Sequence, residues 1–148
     1  MDTQPLTTHA DHRPYIELVR LALLLEDVHV GVAVPGLGRV RSAAMTVLAP
    51  DDDFDDPWHP TFANAERVEL RWNEEDGWSL LASYGGGQAG PTIWRRGFGV
   101  LLPPEDVASW IDVLLTMPHS SLSRDDGPYR SHQQPDRAFE AVLAAYAH

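Results

Sequence analysis

The chain contains no cysteine. A disulfide framework, a thiol nucleophile and a thiolate metal site are thereby excluded. Lysine is missing too, because all eleven basic residues are arginine. That removes Schiff-base chemistry, the phosphate lysine of a P-loop and a lysine general base; a GC-rich coding sequence produces the same bias. Long apolar runs are absent. A stretch such as Leu21 to Leu25 is far shorter than the roughly 20 residues a bilayer demands, so no membrane partner is expected. Positive charge is scarce, with 11 basic against 22 acidic residues and a net charge of -11. Direct binding to nucleic acid is not expected from such a surface.

What is present fits one domain. A length of 148 residues suits a single core, and 43% apolar content is ordinary for a globular chain. Five Trp supply aromatic surface, while 12 Pro and 11 Gly point to many short elements. The excess acid has two readings: a solvated surface that keeps a small protein monodisperse, or an imitation of a phosphate backbone. Met1 to Arg13 is polar, with neither the cationic start nor the apolar centre of a targeting signal. It reads as a flexible tail (1–13) ahead of one α+β domain (14–148) in a cytoplasmic protein.

Periodicity sketches the elements. Tyr15, Leu18, Val19, Ala22 and Leu25 share a helical face after Pro14. Val28 to Val34 and Arg39 to Leu48 read as strands reversed at Pro35–Gly38. Val68, Leu70 and Trp72 alternate with Glu69, Arg71 and Asn73. Asn73 to Gly77 is a turn, and Trp78, Leu80, Ala82 and Tyr84 line the returning strand. Thr92 to Leu102 predicts a further strand with Trp94, Phe98, Val100 and Leu102 on one side, and a bulge at Gly97 and Gly99. Pro103 to Asp106 opens a helix whose Val107, Trp110, Ile111, Leu114 and Leu115 recur at helical spacing. Pro135 opens a last one with Phe139, Val142, Leu143 and Tyr146. Strands in one block between helices predict an antiparallel sheet of four to five strands, flanked by an N-terminal helix and one or two C-terminal helices.

Candidate sites are few. Asp51, Asp53 and Asp55 have the alternate spacing that opens a calcium loop. The glycine at its sixth position is absent, however, and Phe62 stands where the twelfth-position Glu belongs. A weak cation site or a solvated turn remains. Gly85 to Gly87 and Gly90 precede Pro91 and a strand rather than a helix, which is wrong for a phosphate cradle. Arg95 and Arg96 follow and could clamp one anion. His9 and His12 lack a third metal ligand in sequence. Ser120, Ser121 and Ser123 sit in no nucleophile-elbow pattern. Trp72, Trp78 and Trp110 fall on apolar faces. Trp58 in a loop and Trp94 on a strand are candidate anchors for a partner protein if exposed.

Trp72, Glu74, Glu75, Gly77 and Trp78, with Leu102 to Glu105, carry a resemblance. From Pro14 to Met117 the chain resembles a small domain family of unknown function from Streptomyces and related actinobacteria. Its shared features are an opening helix, a W-x-E-E-x-G-W hairpin and a helix introduced by Leu-Pro-x-Pro. The chain departs from it in the glycine connection and the added C-terminal helix. The resemblance implies the fold and an actinobacterial origin, with no activity, cofactor or site residue.

The resulting expectation is a non-enzymatic interaction module, an adaptor, regulator or immunity-type partner that binds another protein through Trp58 and Trp94 and needs no cofactor. The alternative is a small-ligand protein or enzyme that uses Arg95, Arg96 and the acidic loop 51–56.

Overall fold

A computed structural model describes residues 9–49, 58–85, 91–118 and 127–147. In chain order its elements are α1 (Arg13–Leu25), β1 (Val34–Pro35), β2 (Ser42–Thr46), α2 (Pro60–Ala63), β3 (Arg67–Asn73), β4 (Gly77–Ser83), β5 (Thr92–Arg95), α3 (Pro104–Thr116) and α4 (Arg137–Ala145). The strands form one antiparallel sheet in the order β1-β2-β3-β4-β5. The α+β architecture expected from the sequence is therefore the one observed.

Alternation along β3 and β4 sets the two faces of the sheet. Val68, Leu70 and Trp72 from β3 and Trp78, Leu80 and Ala82 from β4 are all nearly inaccessible. They pair in register, Trp72 opposite Trp78 and Leu70 opposite Leu80. Ala43 and Met45 from β2 and Trp94 from β5 extend the same buried face. Tyr15 of α1 ties it to the helical layer: its hydroxyl accepts from Trp78 Nε1 at 3.0 Å and donates to the Leu102 carbonyl at 2.6 Å. Trp72 Nε1 donates to the Val100 carbonyl at 3.0 Å, so the indole N–H groups of both Trp72 and Trp78 are satisfied. Helix α3 buries Val107, Trp110, Ile111, Leu114 and Leu115, as its spacing predicts, and packs on α1.

The β3–β4 turn explains its own sequence. Asn73 Oδ1 accepts from the backbone N–H of Glu75 (2.9 Å) and Asp76 (2.8 Å), closing the turn with a side chain. Gly77 has φ +84°, and a Cβ there would stand 2.5 Å from the Gly99 carbonyl oxygen. Backbone angle and close approach both require glycine.

Four expectations need correction. The ordered domain begins before Pro14: Ala10 is buried, and the His12 ring stacks on Trp72 at 5.5 Å. Residues 9–13, assigned to the tail, thus belong to the domain, held by contacts far away in sequence. Helix α1 is turned relative to its predicted face. It buries Tyr15, Ile16, Val19 and Leu23 and leaves Leu18 and Leu25 exposed. With Leu at 18, 21, 23, 24 and 25 the helix is apolar nearly all round, so periodicity alone does not choose a side. The first strand is shorter than expected: β1 keeps two residues, and only a Val30–Val47 bridge and bonds such as Gly31 N–H to the Thr46 carbonyl (2.8 Å) extend the pairing. Finally, β5 ends at Arg95. Gly97, Phe98 and Gly99 all have positive φ (74°, 65° and 114°), so the predicted bulge is a loop, and Phe98 is 61% exposed instead of facing the core.

Candidate interaction surface on the open face of the sheet

Two clusters of charge flank the β3–β4 hairpin. The first lies inside. Arg41 Nη2 donates to Glu74 Oε1 at 3.0 Å and also binds Glu140 Oε2, and Arg41 Nη1 reaches the Ala10 carbonyl at 2.6 Å. Arg130 Nη1 donates to Glu74 Oε1 at 2.7 Å, and Ala10 N–H donates to Glu140 Oε1 at 2.7 Å. The Phe139 ring lies between both guanidiniums, 3.9 Å from that of Arg130 and 5.4 Å from that of Arg41. The four ionic side chains are at most 10% exposed, and their charges cancel. Burial opposes ionisation of Glu74, but hydrogen bonds from the Arg41 side chain and backbone and from Arg130 outweigh it and hold the carboxyl at about 2. Beside it, Glu75 Oε2 binds His132 Nδ1 (2.7 Å) and its backbone N–H (2.8 Å). The cluster joins residue 10, the hairpin turn and the segment leading into α4. Its four charges balance and are shielded from solvent, so its role is to hold the chain's distant parts together.

The second cluster lies on the opposite face of the sheet. Pairing register places Val34, Ala44, Arg71, Ser79 and Arg95 in one row across all five strands. The next row runs Thr46, Glu69, Leu81 and Ile93. Small side chains at Ser42, Ala44, Thr46 and Ser79 leave a groove of about 660 Å³ between the taller residues. Glu69 is the anchor of this face. Arg67 Nη2 donates to its Oε2 at 2.6 Å and Arg71 Nε to its Oε1, and Glu69 is 7% exposed beneath them. The two arginine side chains themselves are 59% and 55% exposed. Val32 and Val34 on one side and Ile93 on the other give the groove exposed aliphatic margins.

The residues singled out from sequence do not gather here. Trp94 is 7% exposed, with its ring 4.8 Å from that of Phe62. It is a core residue, and its proposed role as an exposed anchor is withdrawn, because even positions of β5 face the helices. Trp58 is half-buried and packs against the core. Its neighbour His59 caps α2 and donates its backbone N–H to the Leu115 carbonyl at 2.7 Å. Arg95 lines the groove, whereas Arg96 continues the chain past β5 with its guanidinium 5.2 Å from the Phe98 ring. Adjacent strand positions point to opposite sides, so the pair does not form one clamp. Asp51, Asp53 and Asp55 lie outside the described residues, as do Ser120, Ser121, Ser123 and most of the glycine cluster. Among the described residues no three His, Asp or Glu side chains are placed to hold a metal ion. None of the helices described is long and apolar enough to cross a membrane.

Arg67, Glu69 and Arg71 were within reach of sequence reading. Charges at every second position of an alternating strand mark its solvent side. Arg41, Glu140 and Arg130 had no such signal, since they meet across separations of 33 to 99 residues. No protein-family model, curated protein or solved structure matches the chain. The residues behind the actinobacterial resemblance have structural tasks here: Trp72 and Trp78 in the core, Glu74 in the buried cluster, Glu75 on His132 and Gly77 at the tight turn.

Proposed function

We propose that this chain is a non-enzymatic protein-interaction module, an adaptor, regulator or immunity-type partner, and that it works through the open face of its sheet. The observation that carries this reading is the groove itself: it spans all five strands, its Arg67 and Arg71 are more than half exposed, and aliphatic side chains line its margins. Interfaces combine an arginine-rich polar surface with such apolar contacts. The surface therefore moves from Trp58 and Trp94 to the outer sides of β2, β3 and β4. A cytoplasmic setting suits a chain without cysteine. The small-ligand alternative keeps Arg95 but loses its companion Arg96.

Filling the groove tests the proposal. Ala44 sits in the central row beside Arg71, so Ala44→Trp blocks the floor without touching the core face. Partners recovered from native cell extract on the immobilised wild type are expected to be lost on Ala44→Trp, with an unchanged circular dichroism spectrum and melting temperature. Equal recovery on both proteins would remove this face from consideration.

A further inference from the structure

On the interaction reading just given, we infer that the occupant of the open face is an acidic, extended segment of another protein, held through its carboxylates by Arg71 and Arg67. The first ground is charge. Arg67 and Arg71 share the one carboxylate of Glu69, a local excess of one positive charge on a chain whose net charge is -11. That local reversal of sign favours an acidic partner at this point of the face.

The second ground is the way the arginines are held. Arg71 uses only its Nε on Glu69, and Arg67 a single Nη2. Glu69 therefore fixes both side chains while leaving most of each guanidinium fork for a further carboxylate, the planar group it matches best. Ala44 and Ser79 flank Arg71 in its row and are short, so the fork is approachable from both sides.

The third ground is shape. From β1 to β5 the row crosses four interstrand steps, about 19 Å at a spacing of roughly 4.8 Å. A free anion would occupy one point of that span, while an extended chain of about six residues covers it. Val34 at one end of the row, and Ile93 in the adjoining row at the other, then take aliphatic side chains between the acids. Addition of a strand at the β1 edge is the poorer alternative. That edge is two residues long, and one of them is Pro35, which lacks a donor.

The test uses the full chain and a fluorescein-labelled peptide of alternating Asp and Val, read by fluorescence anisotropy. The same peptide with Asn for Asp, and inorganic phosphate as competitor, serve as controls. Binding of the Asp peptide is expected to weaken about tenfold or more in Arg71→Ala, the loss of a charge-assisted hydrogen bond. It is expected to strengthen in Glu69→Gln, which frees both forks, and to fade as salt approaches 1 M, where screening acts within about 3 Å. Equal binding of the Asn peptide, indifference to Arg71→Ala, or complete displacement by phosphate at matched concentration would overturn the acidic occupant. Ala44→Trp separates the two levels. If it abolishes partner recovery while Arg67→Ala and Arg71→Ala do not, the face remains an interface and the acidic occupant falls. If Ala44→Trp changes nothing, the interaction reading falls with it.

Discussion

Arginine and glutamate build both charge clusters of this protein, and the difference between them lies in what surrounds them. Inside, Arg41 and Arg130 meet Glu74 and Glu140 in a balanced set at most 10% exposed, every charge matched and the Phe139 ring between the cations. Outside, Arg67 and Arg71 share the single carboxylate of Glu69, with more than half of each arginine in water. Desolvation makes the inner set costly to break, because a lone charge left behind has neither water nor partner. Solvent makes the outer set nearly free to rearrange. The first therefore serves the fold, and the second is free to serve a ligand.

Breaking the inner cluster should produce the largest effect. Arg41→Met leaves Glu140 without a cation and Glu74 with Arg130 alone, and is expected to cost about 3–5 kcal/mol, read as a lower urea midpoint at unchanged slope. Acid acts on the same groups more gradually. Glu74 is held at about 2, below its ordinary 4.5, and Glu140 is shifted the same way: burial opposes, but Arg41 and the Ala10 N–H prevail. A carboxyl lowered in the fold contributes stability that is present above its unfolded value and lost as pH falls through its folded value. Glu74 alone accounts for on the order of 3 kcal/mol. His12, lowered by burial against Trp72, is harder to protonate in the fold than in the unfolded chain. Stability measured by urea titration should therefore start to fall below about pH 6.5 and drop more steeply from about 4.5 downward. A stability flat from pH 7 to 3 would contradict the cluster as described.

Smaller effects sharpen the contrast. His132→Ala removes the side-chain half of the Glu75 clip and is expected to cost about 1 kcal/mol. Faster hydrogen exchange should appear at the Tyr129 amide, which donates to the Glu75 carbonyl. On the open face, Arg71→Ala should change stability by less than about 1 kcal/mol, because most of Arg71 lies in water and Arg67 stays on Glu69, while lowering the peptide affinity described above. A loss from Arg71→Ala as large as that from Arg41→Met would erase the distinction between the clusters.

The legible parts of the molecule are those where neighbours in sequence are neighbours in space. Alternation in Arg67–Asn73 and Gly77–Ser83 predicts the central hairpin and names its inner residues. The spacing of Val107, Trp110, Ile111, Leu114 and Leu115 predicts α3 and its buried side. Misreadings occur where pattern is ambiguous or an edge intervenes. Helix α1 is leucine-rich on every side, so packing against α3 and the sheet chooses Ile16 and Leu23 over Leu18 and Leu25. Thr92 to Leu102 has the composition of a strand, yet three consecutive positive φ angles end the ladder at Arg95. Trp94 looks like an available anchor in sequence; the neighbouring Phe62 of α2, 32 residues earlier in the numbering, covers it.

By itself the sequence determined the antiparallel hairpin, the amphipathic C-terminal helices, the acidic balance and the exclusion of thiol and lysine chemistry, since each follows from residue type or short-range period. Tertiary structure alone decided which arginines are buried and which are presented. Arg41 and Arg71 have the same side chain in similar strand-rich surroundings. One finds Glu74 and Glu140 within a closed interior, and the other shares Glu69 beside open water. That choice depends on chain segments up to 130 residues apart converging on one point, and no local period encodes it.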